Sequence, residues 1–365
     1  MTLLPEPIRP LLPELQAALR AHAEPARLAA EALAPPIQSD PGVRVPVYRE
    51  DLSWPARMVR FQDRFQRWDE LPAAVAAGDA GAVVIGLELL SIVAPTETMP
   101  LAERLLAADP WNLLSRAVGQ VLARSNTAHG FEILLGNLDA YGFDVAFPLC
   151  GWEAGGDAAF ARLKQLVDVV PEVELPPWSP TAEPPEPTPI DPAHRTAAQG
   201  LIGYLAHINH GPADHWMHHA ALHHGDPAIR LAAASAWLRT PDRREAAEPW
   251  IDLADKHLRR LAFLAAFQTH PHRPLDLLGG PQGAAHDPRA VDLMTTVLQD
   301  ARTLRHHEQG LTTLAGEGWL ERDPRWVEVA LSWLRDRNSK DLARGLLTEA
   351  PADVVAAARA KGRRR

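Results

Sequence analysis

The sequence is poor in cysteine, in tyrosine and in positive charge. Cys150 is the one cysteine among 365 residues, which excludes an intramolecular disulfide and a cysteine-based zinc cluster, and its apolar neighbours predict a buried thiol. Aromatic residues make up 6% of the chain, and only three of them are tyrosines. Lysine and arginine total 37 against 46 acidic residues, so the formal net charge is −9. This balance disfavours a general nucleic-acid binder, because cationic side chains must neutralise phosphates.

Long hydrophobic runs and common catalytic motifs are also missing. The longest apolar stretch, residues 80–95, is shorter than a membrane span and contains Glu88. The first residues, MTLLPE, lack the basic segment and apolar core of a signal peptide. The sequence contains no Gly-x-Ser-x-Gly, P-loop or dinucleotide-binding motif. We therefore expect a cytoplasmic protein that has no membrane partner, no cofactor and no catalytic residues.

Proline, by contrast, is abundant, with 34 residues where a usual content of ~5% would give about half as many. Residues 171–192 alone hold nine prolines and several acidic residues. This composition predicts an extended, semi-rigid linker, with a PxxP-type ligand as the alternative. With this linker, the sequence predicts four regions. They are an N-terminal arm over 1–50, a degenerate helical repeat region over 51–170, the linker over 171–192, and a repeat region over 193–365.

The C-terminal region repeats one helix-start pattern. An aspartate, in most copies followed by proline, precedes apolar or small residues at offsets +3, +6, +7, +10 and +11, which share one face of an α-helix. Aspartate is a good N-cap, and proline fits the first helical position because its missing N–H costs nothing there. The predicted starts are Asp191, Asp226, Asp255, Asp287 and Asp323. Fainter copies begin at Asp79, Asp109 and Asp157.

Shorter second helices are predicted between these starts, over residues 213–224, 243–253, 304–315 and 339–348. A helix pair that recurs about every 30 residues cannot bury its apolar face alone, so neighbouring pairs must stack. The sequence therefore predicts an all-α fold in which helix pairs form an α-solenoid. Whether the two halves form one continuous right-handed superhelix is left open by the pattern.

The clearest copy of the pattern also carries a family resemblance. The segment GDPAIRLAAASAWL at 225–238 resembles the first helix of a HEAT-like repeat, and DPRAVDLMTTVL at 287–298 and DPRWVEVALSWL at 323–334 are weaker copies. The resemblance covers residues 191–349. HEAT-like repeats mostly serve as binding scaffolds, although a few carry enzymes. The resemblance therefore implies a non-enzymatic scaffold or adaptor that recognises a partner protein through the solenoid surface.

A histidine cluster supports a first alternative function. Seven of the 16 histidines lie between His207 and His224. On a helix, His215, His219 and His223 would fall at i, i+4 and i+8 on one face, and histidine pairs at this spacing bind metals. No carboxylate is expected on that face. The cluster is thus either a metal-binding module, or the site of a metal-dependent enzyme, or a set of surface histidines.

Arginines near the N-terminus support a second alternative, nucleic-acid binding. A helix predicted over 55–71 carries an arginine face that could contact a phosphate backbone or an acidic partner, and the simpler interpretation is that these side chains are solvated. The arginines are Arg57, Arg60, Arg64 and Arg67. Trp178, inside the proline-rich linker, is predicted either to anchor the linker on the solenoid or to contact a partner.

Overall fold

The computed structural model describes residues 4–33, 70–138, 146–269, 273–279, 287–289, 292–293, 344, 347–348 and 352–362. These residues form α-helices, short 3-10 helices and two isolated β-bridges, with no strand among them. The predicted all-α fold class is confirmed for this part of the chain. The arrangement of the helices as a solenoid stays a prediction.

The chain divides into two compact units. The N-terminal unit combines Met1–Val170 with Ile190–Trp216, and the C-terminal unit combines Pro171–Pro189 with Met217–Arg365. The four-region division made from the sequence stays a prediction.

Helices α1 to α9 lie in the N-terminal unit. Their bounds are α1 Leu12–Ala21, α2 Ala23–Leu33, α3 Glu70–Ala76, α4 Ala80–Val93, α5 Pro95–Ala107, α6 Ser115–Arg124, α7 Ala128–Gly136, α8 Gly156–Val167 and α9 Pro192–His207. Short 3-10 helices span Glu6–Leu11, Phe147–Leu149 and Glu153–Gly155. Helix α4 is apolar on nearly every side and packs against α2, α3 and α6, as expected of a helix buried in a core.

An aromatic cluster fills another part of this core. Tyr204 is fully buried, and the centroid of its ring lies 5.3 Å from the ring centroid of Phe147 and 5.7 Å from that of Phe131. Its hydroxyl donates a hydrogen bond to the carbonyl of Trp152. Burial raises the pKa of this phenol well above its ordinary value. Cys150 is buried nearby, as predicted, and burial raises the pKa of its thiol as well.

Helix α10, Gly211–His223, begins in the N-terminal unit and ends in the C-terminal unit. It matches the second helix predicted over 213–224. The C-terminal unit continues with α11 Pro227–Trp237, α12 Lys256–Thr269, α13 Arg273–Leu277 and α14 Ala352–Gly362, and with 3-10 helices at Pro241–Arg243 and Glu248–Asp252.

Aspartate caps confirm several of the predicted helix starts. Asp226 Oδ1 accepts the N–H of Ala228 at 2.8 Å, and Asp255 Oδ1 accepts the N–H of His257 at 2.8 Å. Asp79 caps α4 in the same way. Asp191 likewise caps α9.

Three predicted starts or helices are wrong. Asp109 accepts the N–H of Leu114 at 2.6 Å, but α6 begins only at Ser115, because Asn112 has the left-handed φ of 54° and interrupts the helix. The helix predicted to open at Asp157 is present as α8, but Asp157 lies inside its first turn and the N-cap is Gly155. Residues 243–253 do not form an α-helix, since Pro249 lacks the N–H that an interior helical position must donate.

The remaining sequence predictions for this region lie outside the described residues. They are the helix starting at Asp323, the second helix over 304–315 and most of that over 339–348. Around Asp287, only residues 287–289 and 292–293 are described. None of the described helices combines the length and the apolar character that crossing a membrane requires.

Candidate interaction surface

The proline-rich segment Pro171–Pro189, called the strap below, crosses the C-terminal unit at two places. At the first crossing, Glu172 forms an antiparallel bridge with His224, and the N–H of Val173 donates to the carbonyl of His223 at 2.7 Å. These contacts attach the strap to the end of α10.

At the second crossing, Pro177 forms an antiparallel bridge with Leu253, and the N–H of Trp178 donates to the carbonyl of Asp252 at 2.7 Å. A turn follows at residues 180–181, and the strap then returns to the loop at His224 and Gly225, where the first crossing lies. Two further backbone hydrogen bonds run from Ala254 to Pro176, at 2.9 Å, and from Thr188 to Gly225, at 3.2 Å.

The two crossings occupy equivalent positions in the helix-start pattern. His224 lies two residues before the cap Asp226, and Leu253 lies two residues before the cap Asp255. The receiving residues are 29 positions apart on the C-terminal unit, whereas their partners on the strap, Glu172 and Pro177, are five apart. The strap therefore contacts these two copies of the helix-start pattern at the same place.

An arginine four residues after each cap fixes these receiving loops. Arg230 Nη1 donates to the carbonyl of His224 at 2.7 Å, and Arg259 Nη1 donates to the carbonyl of Leu253 at 2.7 Å. Each arginine thus holds the residue that pairs with the strap. The same local contacts recur in two consecutive copies of the pattern.

Arg230 also ties the first copy to the second. Its Nη2 donates to Asp255 Oδ2 at 3.1 Å, and the two side chains are 3% and 8% exposed. Burial opposes ionisation of Asp255, but hydrogen bonds from Leu258 N–H, Arg230 and His257 N–H outweigh it and hold its pKa below the ordinary value. The buried carboxylate is therefore kept charged as the partner of the buried guanidinium.

The structure brings two of the three candidate metal ligands together. The ring centroids of His219 and His223 lie 4.6 Å apart, and His219 Nε2 donates to the carboxylate of Glu172 at 2.8 Å. Both partners of this pair are more than half exposed. The hydrogen bond from His219, together with electrostatic attraction to this residue, holds the pKa of Glu172 below its ordinary value. His215 belongs to the N-terminal unit.

Sequence reasoning missed the carboxylate because it comes from the strap, 47 residues away along the chain. Among the residues that the structure describes, no three histidine, cysteine or acidic side chains are arranged to hold a metal ion. The metal-binding interpretation of His215, His219 and His223 stays a prediction.

His210, another member of the histidine cluster, has a local structural role in the N-terminal unit. Its Nδ1 accepts the N–H of Ala213 at 3.3 Å, and its Nε2 donates to Asp157 at 3.0 Å. The ring is mostly buried, with 13% of the side chain exposed. His210 therefore satisfies an unpaired N–H in the first turn of α10, as a side-chain cap does.

Trp178 makes an intramolecular contact at the second crossing. Its half-buried ring lies 4.6 Å from Cζ of Arg289, which donates through Nη1 to Asp252 at 2.7 Å and through Nη2 to Asp287 at 2.8 Å. Although burial opposes the charge, hydrogen bonds to these two carboxylates raise the pKa of Arg289. A fixed guanidinium over an indole ring is a cation–π contact. A role for Trp178 in contacting a partner stays a prediction.

The other predicted contact residues, Arg57, Arg60, Arg64 and Arg67, lie outside the described residues. In the N-terminal unit, a residue that sequence reasoning missed is prominent instead. Trp111 is 64% exposed in the turn that Asp109 and Asn112 stabilise before α6. Trp111 directly follows Asp109-Pro110, which could have indicated a turn, but the helix-start pattern assigned this segment to a helix.

No protein-family model, curated protein or solved structure matches the chain. Its function therefore has to be argued from the geometry of its own residues. That geometry comprises repeated helix starts, a strap that contacts two of them, and a surface at the crossings formed by the exposed His219 and Glu172 and the partly buried His223, Trp178 and Arg289.

Proposed function

We propose that the chain is a non-enzymatic scaffold that binds a partner protein through the surface of an α-solenoid of HEAT-like helix pairs. The observation that supports this most is the recurrence of one set of contacts, in which a cap aspartate is followed by an arginine that holds the preceding loop. Asp226 with Arg230 and Asp255 with Arg259 make these contacts 29 residues apart. Recurrent contacts are what stacked repeats require.

The packing of the two helices that follow the caps also supports stacking. Helix α11 buries Ala233, Ala234 and Ala236, and α12 buries Ala262, Ala265 and Ala266. Small side chains allow neighbouring helices to approach closely, and the buried pair of Arg230 and Asp255 joins consecutive copies. The sequence predicts the same helix start in the weaker copies at Asp287 and Asp323.

The groups at the strap crossings support protein binding. The backbone carbonyl and N–H groups of the loops before Asp226 and Asp255, the exposed His219 and the guanidinium of Arg289 lie along the strap crossings, and such groups supply the hydrogen bonds and aromatic contacts common at interfaces. A cytoplasmic location, expected from the sequence, is part of this proposal.

Site-specific photo-crosslinking in the native host tests the proposal. A photoreactive amino acid would replace His223 in the full chain, and a second variant would carry it at the exposed Arg239 on the same unit as a matched control. We expect His223 to give an adduct with one defined protein and Arg239 to give none. Adducts at neither of these two positions, or adducts with nucleic acid alone, would contradict a protein scaffold.

A further inference from the structure

The strap is held by backbone contacts and by side chains that remain near the surface. Of its 19 residues, Pro171–Pro189, only Leu175 is buried. The first crossing adds the exposed pair of Glu172 and His219, and the second adds the ring of Trp178 over Arg289. Little apolar surface is buried by this attachment, so the hydrophobic contribution that would make it permanent is small.

The receiving loops, in contrast, are rigidly built. Their carbonyls are held by Arg230 and Arg259, and Arg289 is fixed by two carboxylates. Carbonyl and N–H groups are thus presented to an extended chain at two crossings whose spacing is set by the repeat. Five extended residues reach at most about 17 Å, so a ligand must have the correct number of residues between its two contacts.

The strap also shows which side chains satisfy the site. Glu172 meets a histidine surface, Leu175 is the buried residue between the crossings, and Trp178 covers an arginine. The remaining strap acids, Glu174, Glu183 and Glu186, are exposed. An acidic, extended segment with apolar and aromatic residues at intervals of three therefore matches the surface in charge and in spacing.

Resting on the scaffold function above, we propose that the strap occupies the partner's binding site, and that the partner docks with an extended acidic segment of the form Glu-x-x-Leu-x-x-Trp. The partner segment pairs with the loops before Asp226 and Asp255. It displaces the part of the strap that precedes the turn, residues 171–179. Because the strap is tethered, it competes at an effective concentration in the millimolar range. A free segment therefore binds only the fraction of molecules from which the strap has moved away.

A labelled peptide with the sequence of residues 171–181, PEVELPPWSPT, tests this in fluorescence anisotropy with the full-length chain. Trp178→Ala in the chain weakens the strap but keeps Arg289, so we expect this variant to bind the peptide about tenfold more tightly than the unmodified chain does. Glu183→Gln, in an exposed part of the strap beyond the turn, is the matched control and should bind as the unmodified chain does. Glu172→Gln provides a second weakened strap if Trp178→Ala does not fold.

A second peptide with one alanine inserted after the leucine keeps every residue of the first peptide but changes their spacing. We expect it to bind the Trp178→Ala chain at least about tenfold more weakly than the first peptide, because it can complete only one crossing. Equal binding of the two peptides, or binding of neither, would overturn the inference. Concentration-dependent dimers of Trp178→Ala without peptide binding would also overturn it, in favour of strap exchange between two copies.

These outcomes separate the inference from the proposed function. If the peptide fails to bind but photo-crosslinking at His223 captures one protein, the scaffold stands and the strap is only structural. If the spacing-dependent peptide binding is observed but no protein adduct forms, the site exists and the scaffold function fails.

Discussion

Replacing Arg230 by methionine should destabilise the C-terminal unit by about 3 kcal/mol. Removing one partner of a buried ion pair costs about 3–5 kcal/mol, because the other charge stays buried without compensation. Here Asp255 retains hydrogen bonds from the N–H groups of His257 and Leu258, so the lower end of that range applies. Methionine keeps most of the side-chain volume, which limits any additional cost from a cavity.

Urea unfolding followed by tryptophan fluorescence measures this cost, since Trp237 and Trp250 are buried in the same unit. Arg239→Met, at an exposed position, is the matched control and should stay within about 0.5 kcal/mol of the unmodified chain. The double variant Arg230→Met with Asp255→Asn should cost less than the sum of the two single changes, because the contacting pair is counted twice in that sum.

The effect should also depend on pH. Because the folded-state pKa of Asp255 is lowered, its contribution is present above the unfolded value of ~3.9 and is lost as the pH falls through the folded value. The difference in the free energy of unfolding between the unmodified chain and Arg230→Met should therefore become smaller below about pH 4. A cost under about 1 kcal/mol at neutral pH, or one equal to that of Arg239→Met, would refute a buried tie between the two copies.

Three other predictions concern single sites. His210→Ala should lower stability by about 1 kcal/mol in thermal unfolding through loss of the cap on α10, whereas His207→Ala, at an exposed position, should change it little. Because burial raises the pKa of Tyr204, stability should fall as the pH rises above the ordinary ~10, and Tyr204→Phe should remove the last tyrosine transition in an absorbance titration at high pH. Protein purified without a metal column and dialysed should contain less than stoichiometric metal by mass spectrometry; about one equivalent of zinc, iron or manganese, lost in His215→Ala with His219→Ala, would instead support the metal site.

Helix starts could be predicted from the sequence where their chemistry is local. Asp226 and Asp255 accept N–H groups two and three residues away, so each cap is specified by a few consecutive residues. The same reasoning failed at Asp109, where Asn112 takes a left-handed conformation, and over 243–253, where Pro249 interrupts the helix. In both cases one residue inside the segment outweighed an acceptable pattern of apolar positions.

The strap illustrates the other limit of sequence reasoning. Its proline content predicted an extended segment, but proline composition carries no information about what an extended segment contacts. Glu172 meets His219 across 47 residues, and Trp178 meets Arg289 across an even longer separation. The carboxylate that seemed absent from the histidine face was therefore present in the sequence, on a segment treated as a spacer.

One inserted residue should reveal whether the strap depends on the spacing of the repeat. An alanine inserted between Glu174 and Leu175 lengthens the interval between the two bridges from five residues to six and moves Leu175 and Trp178 out of register with the residues that they contact. Both crossings cannot then be kept, and the amide exchange of Val173 or Trp178 should accelerate about tenfold, as loss of one hydrogen bond implies. The same insertion after Ala182, beyond the turn, only lengthens a loop and should leave both amides protected. Equal protection in the two variants, measured by hydrogen exchange and mass spectrometry, would mean that the strap is held by composition and not by its match to the repeat.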